Sequence, residues 1–196
     1  MKILCLGDSN TYGYDPRSFW GDRYGREDRW VDIAAGKLGC RAVNAGENGR
    51  RIPYGDRELR EINLLLKREA PLDRLVIMLG TNDLLQGDPP ETVAARMEIF
   101  LKSLDIDLRR ILLIAPPLMK RGQWVPTQEP VEASAGLSRQ YEALARRLGV
   151  DFADAGKWNV SLTFDGVHFT EEGHRAFSEA LLPIMTKEIA LCWKSE

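Results

Sequence analysis

The sequence predicts an α/β fold of three layers, a mainly parallel sheet flanked by helices, and three observations carry that reading. Five apolar runs of strand length alternate with longer stretches of helical periodicity, the order from which parallel sheets are built. The third run, Leu75 to Leu79, is apolar at every position, as a strand covered on both faces is. At 196 residues the chain matches one domain on a prior of roughly 100–200 residues each, so a single domain over residues 1–196 is expected.

The first strand is expected over Ile3 to Leu6. After a turn-rich stretch, Trp30, Ile33, Ala34 and Leu38 recur at helical spacing, and Gly39 ends that helix because a residue without a Cβ forms the cap most easily. Cys40 to Asn44 reads as the second strand, followed by the loop Ala45 to Gly49. Leu59, Ile62, Leu65 and Leu66 give Glu58 to Arg68 one apolar helical face. Beyond the third strand, Val93 to Leu104 is helical, and Ile111 to Ala115 is a fourth strand stopped by Pro116-Pro117. Met119 to Pro130 reads as an irregular stretch, long enough to act as a binding element or lid. Leu137 to Leu148 is helical, Val150 to Ala153 is the last strand, and Glu171 to Leu191 is a closing helix.

Composition excludes several classes of function. Lys plus Arg number 27 and Asp plus Glu 29, a net charge of −2, which argues against a phosphate-tracking surface and a nucleic-acid partner. No apolar run approaches the roughly 18 residues of a membrane span. Cys5, Cys40 and Cys192 are odd in number and show no CxxC spacing, so they read as small buried hydrophobes in a reducing compartment. Met1 to Gly7 runs straight into polar Asp8 and Ser9, leaving no room for a secretion signal, and a cytoplasmic location is expected.

In an open α/β sheet ligands bind outside the carboxyl ends of the strands, so the loops there are the place to look. Ser9 directly follows the first strand, where a sharp turn presents its hydroxyl; a serine is a poor nucleophile until a base takes its proton. His168 is the best base of only two histidines, because His174 falls inside the closing helical pattern. Asp165, three residues before His168, lies within reach to fix the imidazole tautomer. Attack on an ester carbonyl also needs donors for the oxyanion, and Asn82, the Gly49 N–H and the Ser9 N–H are the candidates. Taken singly, each has a plainer use: Ser9 as a cap, Asp165 and Gly49 as turn formers, Asn82 in an Asx-turn.

Together, Gly7-Asp8-Ser9, Asn44-x-Gly46-x-x-Gly49, Gly80-Thr81-Asn82-Asp83 and Asp165-x-x-His168 resemble the blocks of the SGNH (GDSL-type) hydrolase family, in family order from residue 3 to about residue 175. The resemblance implies a flavodoxin-like sheet of strand order 2-1-3-4-5 and no metal or organic cofactor. It also implies Ser9 as nucleophile, Asp165 and His168 as its triad partners, and Ser9, Gly49 and Asn82 as oxyanion donors. Asn10 stands where the eponymous motif has leucine, a change that bears on packing or subgroup. Asp8 to Tyr14, Asp28-Arg29-Trp30 and Met78 to Asp83 look like the arylesterase and acyltransferase subgroup, whose members act on short-chain and aryl esters and in some cases pass the acyl group to alcohols or peroxide.

Asp8, Asn10 and Trp124 are the expected substrate contacts, and Trp20, Trp30, Trp158, Tyr12 and Tyr14 are further candidates for pocket walls. Packing is the simpler role for Trp30 and Trp158, whereas Gln123, Trp124 and Val125 are expected to form a lid or subunit contact. The mixed charges from Asp22 to Arg29 read as a solvated loop. Arg50 and Arg51 either meet an anionic substrate group or pair with acidic neighbours. The expected function is a serine esterase acting on a small-molecule ester, as a monomer or homo-oligomer. A thioesterase, lysophospholipase or carbohydrate O-deacetylase remains open, as does a flavodoxin-like module binding phosphate or flavin at Ser9 to Gly13. That last alternative leaves Asn82, Asp165 and His168 without a purpose, and no P-loop lysine or GxGxxG is present. An α/β-hydrolase is disfavoured because there is no GxSxG elbow.

Overall fold

The computed structural model of the protein describes residues 1–192 except Phe19 and Gly21, with side chains as far as residue 186. Strands β1 (Lys2–Gly7), β2 (Arg41–Gly46), β3 (Arg74–Met78), β4 (Ile111–Ala115) and β5 (Asp151–Asp154) pair in parallel. Their order is β2-β1-β3-β4-β5. The helices among the described residues are α1 (Ser9–Tyr12), α2 (Trp30–Leu38), α3 (Asp56–Glu69), α4 (Thr81–Leu85), α5 (Pro90–Lys102), α6 (Glu129–Leu148) and α7 (Glu171–Cys192).

Successive strand residues point to opposite faces, so apolar runs demand a cover on each side. Leu4 and Leu6, Leu75 and Ile77, and Ile111 and Leu113 face one core, closed by Ile62, Leu66, Met97, Phe100, Leu137 and Tyr141 from α3, α5 and α6. Ile3 and Cys5, Val76 and Met78, and Leu112 and Ile114 face the other, closed by Trp30 and Val31 of α2 and Phe177 and Leu181 of α7. Each fully buried aliphatic side chain contributes about 1.5–3 kcal/mol relative to exposure. Trp30 and Trp158 pack against Phe177 with ring centroids 4.8 Å away in each case, the first tilted and the second edge-on. Cys5 is buried and burial pushes its thiol up, Cys40 is half-buried, and the side chain of Cys192 lies outside the described residues.

Element boundaries differ from expectation where local chemistry overrides the pattern. Helix α6 begins at Glu129 rather than Leu137, because Pro130 falls in its first turn, where a missing N–H leaves nothing unpaired. Helix α3 begins at Asp56, with the Glu58 carboxylate accepting the N–H groups of Tyr54 and Gly55 at 3.2 and 3.1 Å. Helices α1 and α4 are too short to show any period. The charged stretch from Asp22 to Arg29 is solvated only in part: Arg29 is buried against Asp32, Asp28 pairs with Arg175, and Arg23 donates to the Tyr12 carbonyl. No described helix is long and apolar enough to cross a membrane.

Candidate active site

The carboxyl edge of the sheet gathers four connections: α1 after β1, the Glu47–Arg51 loop after β2, α4 after β3, and residues 165–168 beyond β5. Asp8 directly follows β1 and caps α1, its carboxylate accepting the Asn10 N–H at 3.0 Å. The tight turn places Ser9 at the first helical position.

Asp165 organises its own loop. Its Oδ1 accepts the N–H groups of Val167 and His168, both at 2.9 Å, which leaves Oδ2 for His168 Nδ1 at 2.6 Å. His168 Nε2 stands 2.9 Å from Ser9 Oγ. Burial alone would raise the Asp165 carboxyl, but the imidazole and the two backbone donors outweigh it and hold the group down at about 2. An ionised Asp165 accepts the proton on Nδ1, so Nε2 carries the free lone pair and accepts from the Ser9 hydroxyl. Asp8 shows the reverse balance: burial lifts its carboxyl to about 6, with the Asn10 N–H, His168 and Arg50 opposing.

Opposite His168, Gly49 sits at φ 72°, a left-handed conformation that costs an L side chain roughly 1–2 kcal/mol. Neither its N–H nor that of Ser9 makes a hydrogen bond within the described residues. Asn82, on α4, donates one amide hydrogen to the Arg50 carbonyl at 3.0 Å and keeps the second for the pocket. The space over Ser9 holds about 200 Å³, with Tyr14, Asn48, Leu85, Trp124 and Val167 as its further walls. Tyr14 and Trp124 flank the His168 ring at centroid distances of 4.7 and 5.8 Å, Trp124 edge-on. Among the described residues, no group of three or more His, Cys, Asp and Glu side chains is placed to hold a metal ion.

Ser9, Gly49, Asn82, Trp124 and His168 therefore meet at one pocket, with Asp165 behind His168. Asp8 and Asn10, expected to touch substrate, do not line it. Both are buried, Asp8 capping α1 and Asn10 spending its carboxamide on the Val167 carbonyl and the Phe169 N–H. Tyr12, Trp20, Trp30 and Trp158 are likewise not among its walls.

The stretch around Trp124 is pinned rather than a free lid. Lys120, Gln123 and Trp124 donate backbone hydrogen bonds to Gly166, Phe164 and Asp165, and Val125 is fully buried. A Cβ on Gly122 would stand 2.4 Å from the Asp165 carbonyl carbon, so only glycine allows the two loops this close. Arg50 pairs with Glu47, and Arg51 with Asp88 and Asp83, which leaves both engaged within the protein. His174 is buried, edge-on to Tyr24 and Phe169, and burial holds its imidazole down at about 3.

Asn48, Leu85 and Val167 were not expected as walls. Leu85 lies three residues after Asn82, the spacing that shares a helix face, but nothing in the sequence marks α4 as a helix.

A model of the GDSL-like lipase/acylhydrolase family matches residues 5–176. Among solved structures, the aryl esterase of M. smegmatis is 26% identical with a TM-score of 0.83, the match covering 95% of this chain and 98% of that one. A carbohydrate acetylesterase family member from Sinorhizobium meliloti is 29% identical with a TM-score of 0.76, covering 94% and 96%. Est24, a carbohydrate acetylesterase from the same organism, is 26% identical with a TM-score of 0.81, covering 95% and 98%. No curated protein matches the sequence.

Proposed function

The chain belongs to the GDSL-like lipase/acylhydrolase family, and from that premise we propose that it is a serine esterase acting on short-chain or aryl carboxylic esters through an acyl-enzyme. The observation that carries this reading is the hydrogen-bonded series from Asp165 through His168 to Ser9, ending in a pocket of about 200 Å³. His168 takes the Ser9 proton as Ser9 Oγ attacks the carbonyl carbon. The oxyanion that forms is met by the N–H groups of Ser9 and Gly49 and by the second amide hydrogen of Asn82. His168 then protonates the leaving alcohol, and water repeats the sequence on the acyl-enzyme. Tyr14, Leu85, Trp124 and Val167 supply the apolar contact that suits a short acyl or aryl group.

Removal of acetyl groups from a sugar is the second reading. It is supported by the likeness to carbohydrate acetylesterases and by a groove of about 540 Å³ that adjoins the pocket through Asn48 and Gly49, lined by Glu47, Arg51, Glu58 and Glu61 among others. Binding of phosphate or flavin at Ser9 to Gly13 fits less well. The buried Asp8 carboxylate already takes the Asn10 N–H at the start of α1, where an anion would have to sit.

The test is hydrolysis of p-nitrophenyl esters from acetate to octanoate, with acetylated sugars in parallel, by the wild type and Ser9→Ala. Rates that fall with chain length and drop to background in Ser9→Ala are expected. Activity retained by Ser9→Ala removes Ser9 as nucleophile. Turnover of acetylated sugars far above the aryl esters moves the assignment to the second reading.

A further inference from the structure

We propose that Asn10 is a positioning residue, a side-chain clamp that joins the turn bearing Ser9 to the loop bearing His168 and sets the imidazole in register with the nucleophile. The inference rests on the reading of His168 as the base for Ser9. In a parallel strand pair, one residue bonds to the backbone groups on either side of its partner. The Asn10 carboxamide does the same to His168: Nδ2 donates to the Val167 carbonyl at 3.1 Å, and Oδ1 accepts from the Phe169 N–H at 3.0 Å. A single amide orientation satisfies both, donor to carbonyl and acceptor to N–H.

The rest of the loop shows why this matters. The Gly166 N–H donates to Thr163, the Gly166 carbonyl accepts from Lys120, and the Val167 and His168 N–H groups go to Asp165 Oδ1. The His168 carbonyl accepts from Thr163, and the Phe169 carbonyl from the Tyr24 hydroxyl. Two backbone groups remain, the ones that bracket His168, and among the described residues Asn10 meets both. The clamp is itself held. Asn10 is 5% exposed, its N–H is bound by Asp8, and its carbonyl accepts the Trp30 Nε1 proton at 3.1 Å. Neighbouring Ser9 and Asn10 thus grip one loop at two points: Ser9 Oγ at the imidazole, Asn10 at the backbone.

Asn10→Leu, of similar volume, removes both bonds; Asn10→Asp keeps the acceptor for Phe169 and turns an oxygen toward the Val167 carbonyl. Each variant is checked for a cooperative melt, then assayed on p-nitrophenyl acetate beside the wild type and Ser9→Ala. Small displacements of a base are expensive, so Asn10→Leu is expected to lose about 10²-fold in kcat. KM should stay within about threefold, since a group seen only in the transition state affects kcat. Asn10→Asp should lose about tenfold, with one of the two hydrogen bonds kept. In proton NMR, the downfield signal of His168 Nδ1–H, assigned by its loss in Asp165→Asn, should be present in the wild type and absent from Asn10→Leu. A merely structural asparagine would lower the melting temperature and leave kcat and that proton unchanged, and this result overturns the proposal. If Asn10→Leu does not fold, Asn10→Asp decides by the same readouts. Should Ser9→Ala keep wild-type activity, the assignment of Ser9 as nucleophile fails on its own, and the NMR signal still judges the clamp.

Discussion

Two loops meet over Ser9, and they are held by opposite means. From Gly166 to Phe169 every backbone N–H and C=O has a protein partner. The Glu47–Arg51 loop is tied instead through its flanks: the Arg50 carbonyl to Asn82, the Arg50 side chain to the Gly7 and Ala45 carbonyls, and the Ile52 N–H to buried Asp83. Between these ties the Gly49 N–H has no hydrogen-bond partner among the described residues. The difference matches the work proposed for each loop. A base is useful only at one position and angle, which a fully bonded backbone enforces. An oxyanion donor is useful only if nothing else has taken its hydrogen, so its loop has to be braced from the side.

Breaking the first loop is expected to have the largest effect. Asp165→Asn keeps Oδ1 for the Val167 and His168 N–H groups but sets an amide against Nδ1, which selects the wrong tautomer. A fall of about 10⁴ in kcat is expected with the melting temperature nearly unchanged, as steady-state kinetics and calorimetry will report. A small loss of rate would mean that the loop, and not the carboxylate, orients the ring.

Breaking the second loop should cost less. Asn82→Ala removes one proposed oxyanion donor and the brace on Arg50, for an expected loss of about 10²–10³ in kcat/KM. If Asn82→Ala matches the loss in Asp165→Asn, the Gly49 segment depends on Asn82 for its shape as well as its charge.

The smallest effect concerns Asp8, which lies between the loops and feels His168 from one and Arg50 from the other. Its carboxyl rises from 3.8 to about 6 on folding, so between those values the folded protein holds a proton that the unfolded chain has released. Stability contributed there is complete below the lower value and lost as pH climbs through the upper one. Asp8→Asn keeps the capping oxygen and removes the ionisation. A gain in melting temperature near about pH 8, and none near about pH 4, is expected, at roughly 2–4 °C per kcal/mol for a chain of this size.

The sheet was legible because its signal is long and repeated. Leu75 to Leu79 is apolar throughout, as a strand covered on both sides is, and Gly39 ends α2 in the left-handed conformation that a cap glycine suggests. The candidate triad could be gathered because each member follows a strand or lies near an acidic neighbour at short range. What stayed hidden is either too short for periodicity or too far apart in sequence. Four residues of α1 and five of α4 show no repeat, and Pro130, read as the end of a loop, opens α6. Asn10 meets Val167 and Phe169 across 157 and 159 positions, and no local pattern encodes such a pairing. Trp124 looked like lid material because its neighbours are polar; its backbone ties to Phe164 and Asp165 through Gln123 and Trp124 appear only in three dimensions.

The 159 positions between Ser9 and His168 also set when the site can come into being. A ribosome adding about 5–20 residues per second makes the serine roughly 8–32 s before the histidine. By the end of that interval β1 to β4 and most of their helices have been made, so much of the sheet can assemble around Ser9 before His168 exists. On the proposed mechanism, a chain that stops short of His168 is expected to be inert toward esters, however much of its core has formed. On that mechanism, hydrolysis belongs only to chains long enough to hold Ser9 and His168 together.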